Sequence, residues 1–310
     1  FNLKVSKFDG HTRAFLKIED GCDIFCSYCI IPYVRGKVIS KKIDDILFEA
    51  EQLVSNGYKE IVLTGIHLGA YGKETGYQLN IIDVLRELQT LPGLARIRLS
   101  SIEVNEVTDG LIDLIAGSDK ICSHFHLPLQ SGDDYILKRM NRKYNAAQYL
   151  KTVEKIKERL ELPSISTDVL VGFPGEKTTH FENTMRLCKQ AGVSRAHIFT
   201  YSPREDTPAA KMSDHCKPSE IKARKKELES LTAETSLRYK NSFIGRETSI
   251  LVEKARDKKT GKLCGYSDRY IKVLFDGTDA LMNKIVDVHI KSVSPKFVLG
   301  KRSFNTDRFN

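Results

Sequence analysis

The chain has 310 residues, with 49 Lys plus Arg against 40 Asp plus Glu, and a formal net charge of +9. Its 41% hydrophobic content is ample for a buried core, while no apolar run is long enough for a membrane-spanning helix. No secretory leader is recognisable in the first residues, so a folded cytoplasmic protein without a membrane partner is expected.

The chain opens on Phe1, and FNLKVSKFDG reads as a linker over residues 1–7 in a fragment of a longer protein. TRAFLKIED is the first strand, with Ala14, Leu16 and Ile18 alternating toward one face. KKIDDILFEAEQLVSNG follows as a helix whose stripe holds Ile43, Ile46, Leu47, Ala50, Leu53 and Val54, with Gly57 as its cap. The alternation then repeats. EIVLTG precedes the helical NIIDVLRELQTL, RIRLSS precedes NEVTDGLIDLIAG, and FHLPL precedes DDYILKRMN and AAQYLKTVEKIKERLE. SISTDVLVGFPG leads into THFENTMRLCKQAG, and RAHIFTYS leads, after a Pro-containing loop, into the long charged helix beginning at Pro218. Six strands separated by helices imply parallel neighbours and right-handed crossovers, hence an α/β fold with a six-stranded partial barrel of the TIM type over residues 8–237. From residue 240 to 303 the β-branched runs, broken by Gly, Asp and Lys turns, read as a small antiparallel β-barrel. Between Asn241 and Asn310 there are 14 Lys plus Arg and 8 Asp plus Glu, so +6 of the net charge lies in this last part, which favours a nucleic-acid partner.

In parallel α/β folds reactive groups gather where strands end. Those positions here carry Gly65 after the second strand, Ser101 and Glu103 after the third, Gln130 after the fourth, Asp168 and Gly172 on and after the fifth, and Arg204 after the sixth. The loop after the first strand, GCDIFCSYCIIPYVRG, holds Cys22, Cys26 and Cys29 within eight residues, while Cys122, Cys188, Cys216 and Cys264 are isolated and read as reduced buried thiols. Three clustered cysteines are too few for a two-pair zinc site and odd for disulfides, whereas an iron-sulfur cubane held by three thiolates keeps one iron open. A zinc site completed by His67 or His126, or three unliganded thiols, are the other readings.

C-x3-C-x2-C with Tyr28 before the last cysteine, at the end of the first strand of a six-fold βα series, resembles the radical S-adenosylmethionine superfamily. TRAFLKIEDGCDIFCSYCIIPYVRG, HLPLQSG, LKRMNRKY, TDVLVGFPGE and YSPREDTPAAKM resemble the methylthiotransferases of that superfamily, and the basic barrel is similar to their RNA-binding TRAM domain. CIIPYVRG together with LTGIHLGAYG is most similar to the threonylcarbamoyladenosine tRNA methylthiotransferases; relatives act on isopentenyladenosine or on a ribosomal-protein aspartate. The resemblance implies a 4Fe-4S cluster on Cys22, Cys26 and Cys29, S-adenosylmethionine on its open iron, and contacts to that cofactor from Tyr28, Gly65, Ser101, Glu103, Gln130, Asp168 and Gly172. The acidic residue usual beside Gly65 is missing from TGIH. Arg35 and Arg204 stand as contacts to RNA. A reductase or flavodoxin-type electron donor, a tRNA anticodon stem-loop as partner, and a second 4Fe-4S cluster on a preceding N-terminal domain complete the expectation.

Overall fold

The computed structural model describes residues 5–74 and 79–303; the first four residues of the linker reading lie outside them. In chain order it runs β1 (Ala14–Lys17), β2 (Glu19–Asp20), α1 (Ile31–Arg35), β3 (Ile39–Ser40), α2 (Ile43–Ser55), β4 (Glu60–Thr64), α3 (Ile81–Thr90) and β5 (Arg96–Leu99). There follow α4 (Asp109–Ala116), β6 (His124–His126), α5 (Asp134–Arg139), α6 (Ala146–Arg159), β7 (Ser164–Val171), α7 (Thr178–Ala191), β8 (Arg195–Thr200) and α8 (Pro218–Asn241). Strands β1, β4 and β5 form one parallel ladder and β6, β7 and β8 another. Parallel bridges at Ile97↔Ile121 and Ser101↔His126 join the two, so the six strands make the expected partial barrel.

Local chemistry sets the element ends. Asn80 accepts from the Ile82 N–H at 2.8 Å while Asp83 returns the bond to the Asn80 N–H, capping α3. Gly57, at φ +87°, ends α2 in a conformation open to glycine. The expected stripe of α2 buries Ile46, Ala50 and Leu53 completely against Ala14, Leu16 and Leu63. Full burial of each large aliphatic chain stabilises by roughly 1.5–3 kcal/mol. Because side chains alternate across a strand, the partners of that helix-facing set point the other way, into the barrel lumen. Arg98, His126, Asp168 and His197 are among them.

The C-terminal strands β9 (Glu247–Val252), β10 (Leu263–Ser267), β11 (Lys272–Phe275), β12 (Ile285–Val293) and β13 (Val298–Arg302) close into a barrel in the order β10-β11-β13-β12-β9. It is not antiparallel throughout. Strands β11 and β13 pair in parallel at Val273↔Val298 and Leu274↔Leu299. Five strands in a closed ring cannot alternate direction all the way round, so one parallel pair is a geometric necessity.

This small barrel packs on the N-terminal ends of the core strands. Arg98, fully buried, contacts Glu60 Oε1 at 2.8 Å and donates to the carbonyls of Asp268 at 2.6 Å and Ser267 at 3.1 Å. Arg96 donates to the Tyr266 carbonyl at 3.0 Å and the Ser249 carbonyl at 2.7 Å, and Arg13 pairs with Glu253 at 2.5 Å. Glu60 has no exposure, yet the surrounding arginines hold its carboxyl below the usual range against the effect of burial. The rim carrying the three cysteines is therefore at the opposite end of the lumen from the small barrel.

Candidate active site

The cysteine loop leaves β2 at Gly21, whose φ of +88° is fixed by a close approach: an added Cβ would stand 2.0 Å from the Lys37 carbonyl oxygen. The Cys22 N–H donates to the Gly36 carbonyl at 3.0 Å, closing the loop at its base, and Phe25 adopts φ +53° inside it. Segments far away in sequence hold the loop from outside. The Ser27 N–H and Oγ donate to the carbonyls of Met140 and Arg139, Asn141 donates to the Phe25 carbonyl at 2.7 Å, and the Ala209 N–H donates to the Ser27 carbonyl at 2.8 Å. The stretches LKRMNRKY and DTPAAKM thus act as clamps on the cysteine loop.

All three thiols are free. Burial, with the Cys26 and Cys22 sulfurs nearby, pushes the Cys29 thiol above its usual value against a bond from the Ile31 N–H. Three thiols on one short loop are the donor set expected for an iron-sulfur cubane with one iron open. Among the described residues the set whose ligand atoms all lie within 4.8 Å of one another is His126, Asp168 and His197.

Charged groups surround the thiols. Arg142, nearly buried, places Nη1 3.2 Å from Cys26 Sγ, pairs with Glu103 and donates from Nε to Tyr144 Oη at 3.2 Å. Tyr144 Oη in turn donates toward the Pro128 carbonyl at 2.6 Å and holds the HLPLQSG segment in place. His67 Nε2 lies 2.8 Å from Glu106 Oε1; burial alone would lower its pKa, but the neighbouring Cys22 and Glu106 raise it to about 10. Glu19 lies fully buried beneath, accepting the His67 N–H at 2.7 Å, and burial pushes its carboxyl up to about 7. Gly65 is a glycine for the same reason, because a Cβ there would lie 2.4 Å from Glu19 Oε2.

Of the residues expected from sequence, Cys22, Cys26, Cys29, Tyr28, Gly65 and Glu103 come together at this rim. Tyr28 is half-buried, edge-on to Phe173 at 6.4 Å between ring centroids. Ser101 is exposed and bridges to His126 across the join between the two ladders. Gln130, at φ +61°, donates to the Asp168 carbonyl at 2.8 Å and accepts the Leu170 N–H at 2.9 Å, beside the lumen. Asp168 Oδ2 lies 3.1 Å from His126 Nε2, so His126 belongs to the lumen and not to the cysteines, which removes it as their fourth ligand. Gly172, at φ +80°, packs against α8: a Cβ there would meet Ile221 at 2.5 Å. Arg35 is half-exposed and 3.6 Å from Asp20, and Arg204 is exposed on the loop after β8. Sequence reasoning missed Arg142, Glu106 and Glu19. Nothing in the sequence marks Glu19, which follows Ile18 as an ordinary polar residue of the alternating strand and is buried only by the fold.

A partial α/β barrel with three free thiols at its rim is joined to a closed five-stranded β-barrel. The chain belongs to the radical SAM superfamily, whose family description matches residues 16–188, and a TRAM domain matches residues 241–301. It is 40% identical over 291 residues to the threonylcarbamoyladenosine tRNA methylthiotransferase MtaB of Bacillus subtilis, covering 93% of this chain and 64% of that protein. It is 39% identical to the tRNA-2-methylthio-N(6)-dimethylallyladenosine synthase of Alkaliphilus oremlandii, covering 90% of this chain and 59% of that protein. The chain thus spans about three fifths of the length of these relatives. The radical S-adenosylmethionine methyltransferase TsrM of Kitasatospora setae shares the core fold at a TM-score of 0.54 and 16% identity, over 64% of this chain and 38% of that one. No helix of the described residues is long and apolar enough to cross a membrane.

Proposed function

We propose that this chain is the radical-generating and RNA-binding part of a tRNA methylthiotransferase, with N6-threonylcarbamoyladenosine beside the anticodon as its substrate. The observation that carries the reading is the cysteine rim: three free thiols on one loop, held from outside by Arg139, Met140, Asn141 and Ala209, with the Arg142 guanidinium 3.2 Å from Cys26 Sγ. Bound there, a 4Fe-4S cluster and S-adenosylmethionine would supply a carbon radical able to remove the hydrogen from adenine carbon 2.

The remaining work falls to this chain's own residues. Cys22, Cys26 and Cys29 hold the cluster, and the Arg142 guanidinium 3.2 Å from Cys26 offsets thiolate charge. Tyr28, Gly65, Ser101, Glu103, Gln130 and Gly172 are the proposed cofactor contacts, Asp168, expected with them, is turned to His126 in the lumen, and Arg35 and Arg204 are exposed enough to reach phosphates. The +6 charge of the last seventy residues favours an RNA partner over a basic ribosomal protein, because phosphates drive binding by counterion release. The choice of threonylcarbamoyladenosine over isopentenyladenosine rests on CIIPYVRG and LTGIHLGAYG. A second cluster and the sulfur it would donate belong to the part of the relatives' length outside this chain, and a reductase or flavodoxin-type protein supplies the electron.

Anaerobic reconstitution followed by reductant and S-adenosylmethionine should give iron and sulfide uptake and 5′-deoxyadenosine. Uptake of zinc without iron would leave a nucleic-acid-binding protein with a structural metal. Nucleoside mass spectrometry of tRNA from cells lacking the protein should show loss of the methylthiolated threonylcarbamoyl form; loss of the isopentenyl form in its place overturns the substrate.

A further inference from the structure

The lumen holds a second group of metal-type ligands, distinct from the cysteines in chemistry. His126 ends β6, Asp168 lies on β7 and His197 on β8, with Asp168 and His197 direct register partners across the parallel ladder. Their ligand atoms all lie within 4.8 Å of one another. His126 Nε2 stands 3.1 Å from Asp168 Oδ2, close to the edge of about 2.8–3.1 Å between neighbouring ligands of an octahedral ion with bonds of about 2.0–2.2 Å.

The hydrogen bonding around His126 allows a metal at that point. His126 Nδ1 is engaged with Ser166 Oγ at 3.0 Å, and the same hydroxyl is 2.9 Å from His124 Nε2. In the tautomer with Nδ1 donating to Ser166, the Nε2 lone pair is open to a metal beside the Asp168 carboxylate. The competing arrangement is a hydrogen bond or ion pair from Nε2–H to Asp168 alone. An ion pair, however, has no use for a third donor from β8 at the same level, and all three side chains are part-buried yet open to the lumen.

The geometry points to a divalent transition-metal site formed by His126, Asp168 and His197, with Ser166 orienting the His126 ring. Two imidazoles and one carboxylate suit zinc, iron(II) or cobalt(II) better than magnesium or calcium, which take oxygen ligands. Three protein donors leave coordination positions open to the lumen, where an oxygen donor of a substrate would bind. Arg195, two residues before His197 on the same face, leans toward the Tyr270 ring at 5.9 Å, and burial together with that cation keeps His197 in the neutral form a metal needs.

Cobalt(II) titration separates this site from the thiols, since cobalt on thiolates gives an intense near-ultraviolet charge-transfer band and cobalt on imidazole and carboxylate gives weak visible bands alone. In the Cys22→Ala, Cys26→Ala, Cys29→Ala chain, shown folded by circular dichroism, one equivalent should bind with visible bands only. Zinc should displace it, and His197→Ala or Asp168→Asn should weaken it at least tenfold. Should the triple variant not fold, equilibrium dialysis of the unsubstituted chain decides: zinc stoichiometry must drop by one on His126→Ala or His197→Ala. No binding by a folded triple variant at 100 µM cobalt, or an unchanged stoichiometry in both histidine variants, overturns the site in favour of a plain ion pair.

Discussion

Removing Arg98 should uncouple the two domains and cost more than any single apolar change at their interface. Its side chain is 1% exposed, pairs with a Glu60 of no exposure at 2.8 Å, donates to two carbonyls of the small barrel, and lies over the Tyr270 ring at 4.4 Å. In Arg98→Met, Glu60 keeps only Arg96, whose Nη1 is 3.8 Å from Oε2. Breaking a buried pair by removing one partner costs about 3–5 kcal/mol, which at about 2–4 °C per kcal/mol lowers Tm by roughly 10 °C. Replacing both charges, as Arg98→Met with Glu60→Leu, should recover at least half of the loss, because no uncompensated buried charge remains. The loss should also shrink with acid. The native Glu60 pKa is depressed, so the stability it contributes is present above the ordinary carboxyl value and disappears as pH falls through the native one. Scanning calorimetry between pH 3 and 7 reads all three effects. A shift under 2 °C for Arg98→Met, or a double variant no better than the single, refutes the reasoning.

Gly21→Ala should prevent the cysteine loop from closing, since its Cβ would stand 2.0 Å from the Lys37 carbonyl at φ +88°. Iron uptake on anaerobic reconstitution should fall at least tenfold, and near-normal uptake would show that the loop has another route. Glu19→Gln should change how stability varies with pH in the cluster-free chain. The native Glu19 pKa is raised to about 7, so its contribution is complete below the ordinary carboxyl value and is lost as pH rises through 7. The Gln variant should lack that decline and exceed the parent by roughly 2–3 kcal/mol at pH 8, measured by urea unfolding. Parallel pH profiles for the two chains would refute it.

The three cysteines and the six-fold strand-helix alternation are legible in the sequence because both are local. The ligands lie within eight residues on one loop, and helical or strand periodicity is written in each segment's own side chains. The clamps on that loop are not local: Arg142 reaches Cys26 across 116 residues, and the Ala209 N–H arrives from the far side of β8. The parallel β11–β13 pair follows from closing five strands into a ring, a property of the whole barrel that no single strand carries. Glu19 beside Gly65, and His126, Asp168 and His197 in the lumen, are brought together by strand register, which rests on the entire ladder of parallel pairs. Sequence by itself therefore determined which segments are strands and helices and where the thiols cluster, since those follow from short-range sterics and patterning. Tertiary structure decided which distant charges meet, because a parallel sheet places residues side by side in space that crossover helices keep far apart along the chain.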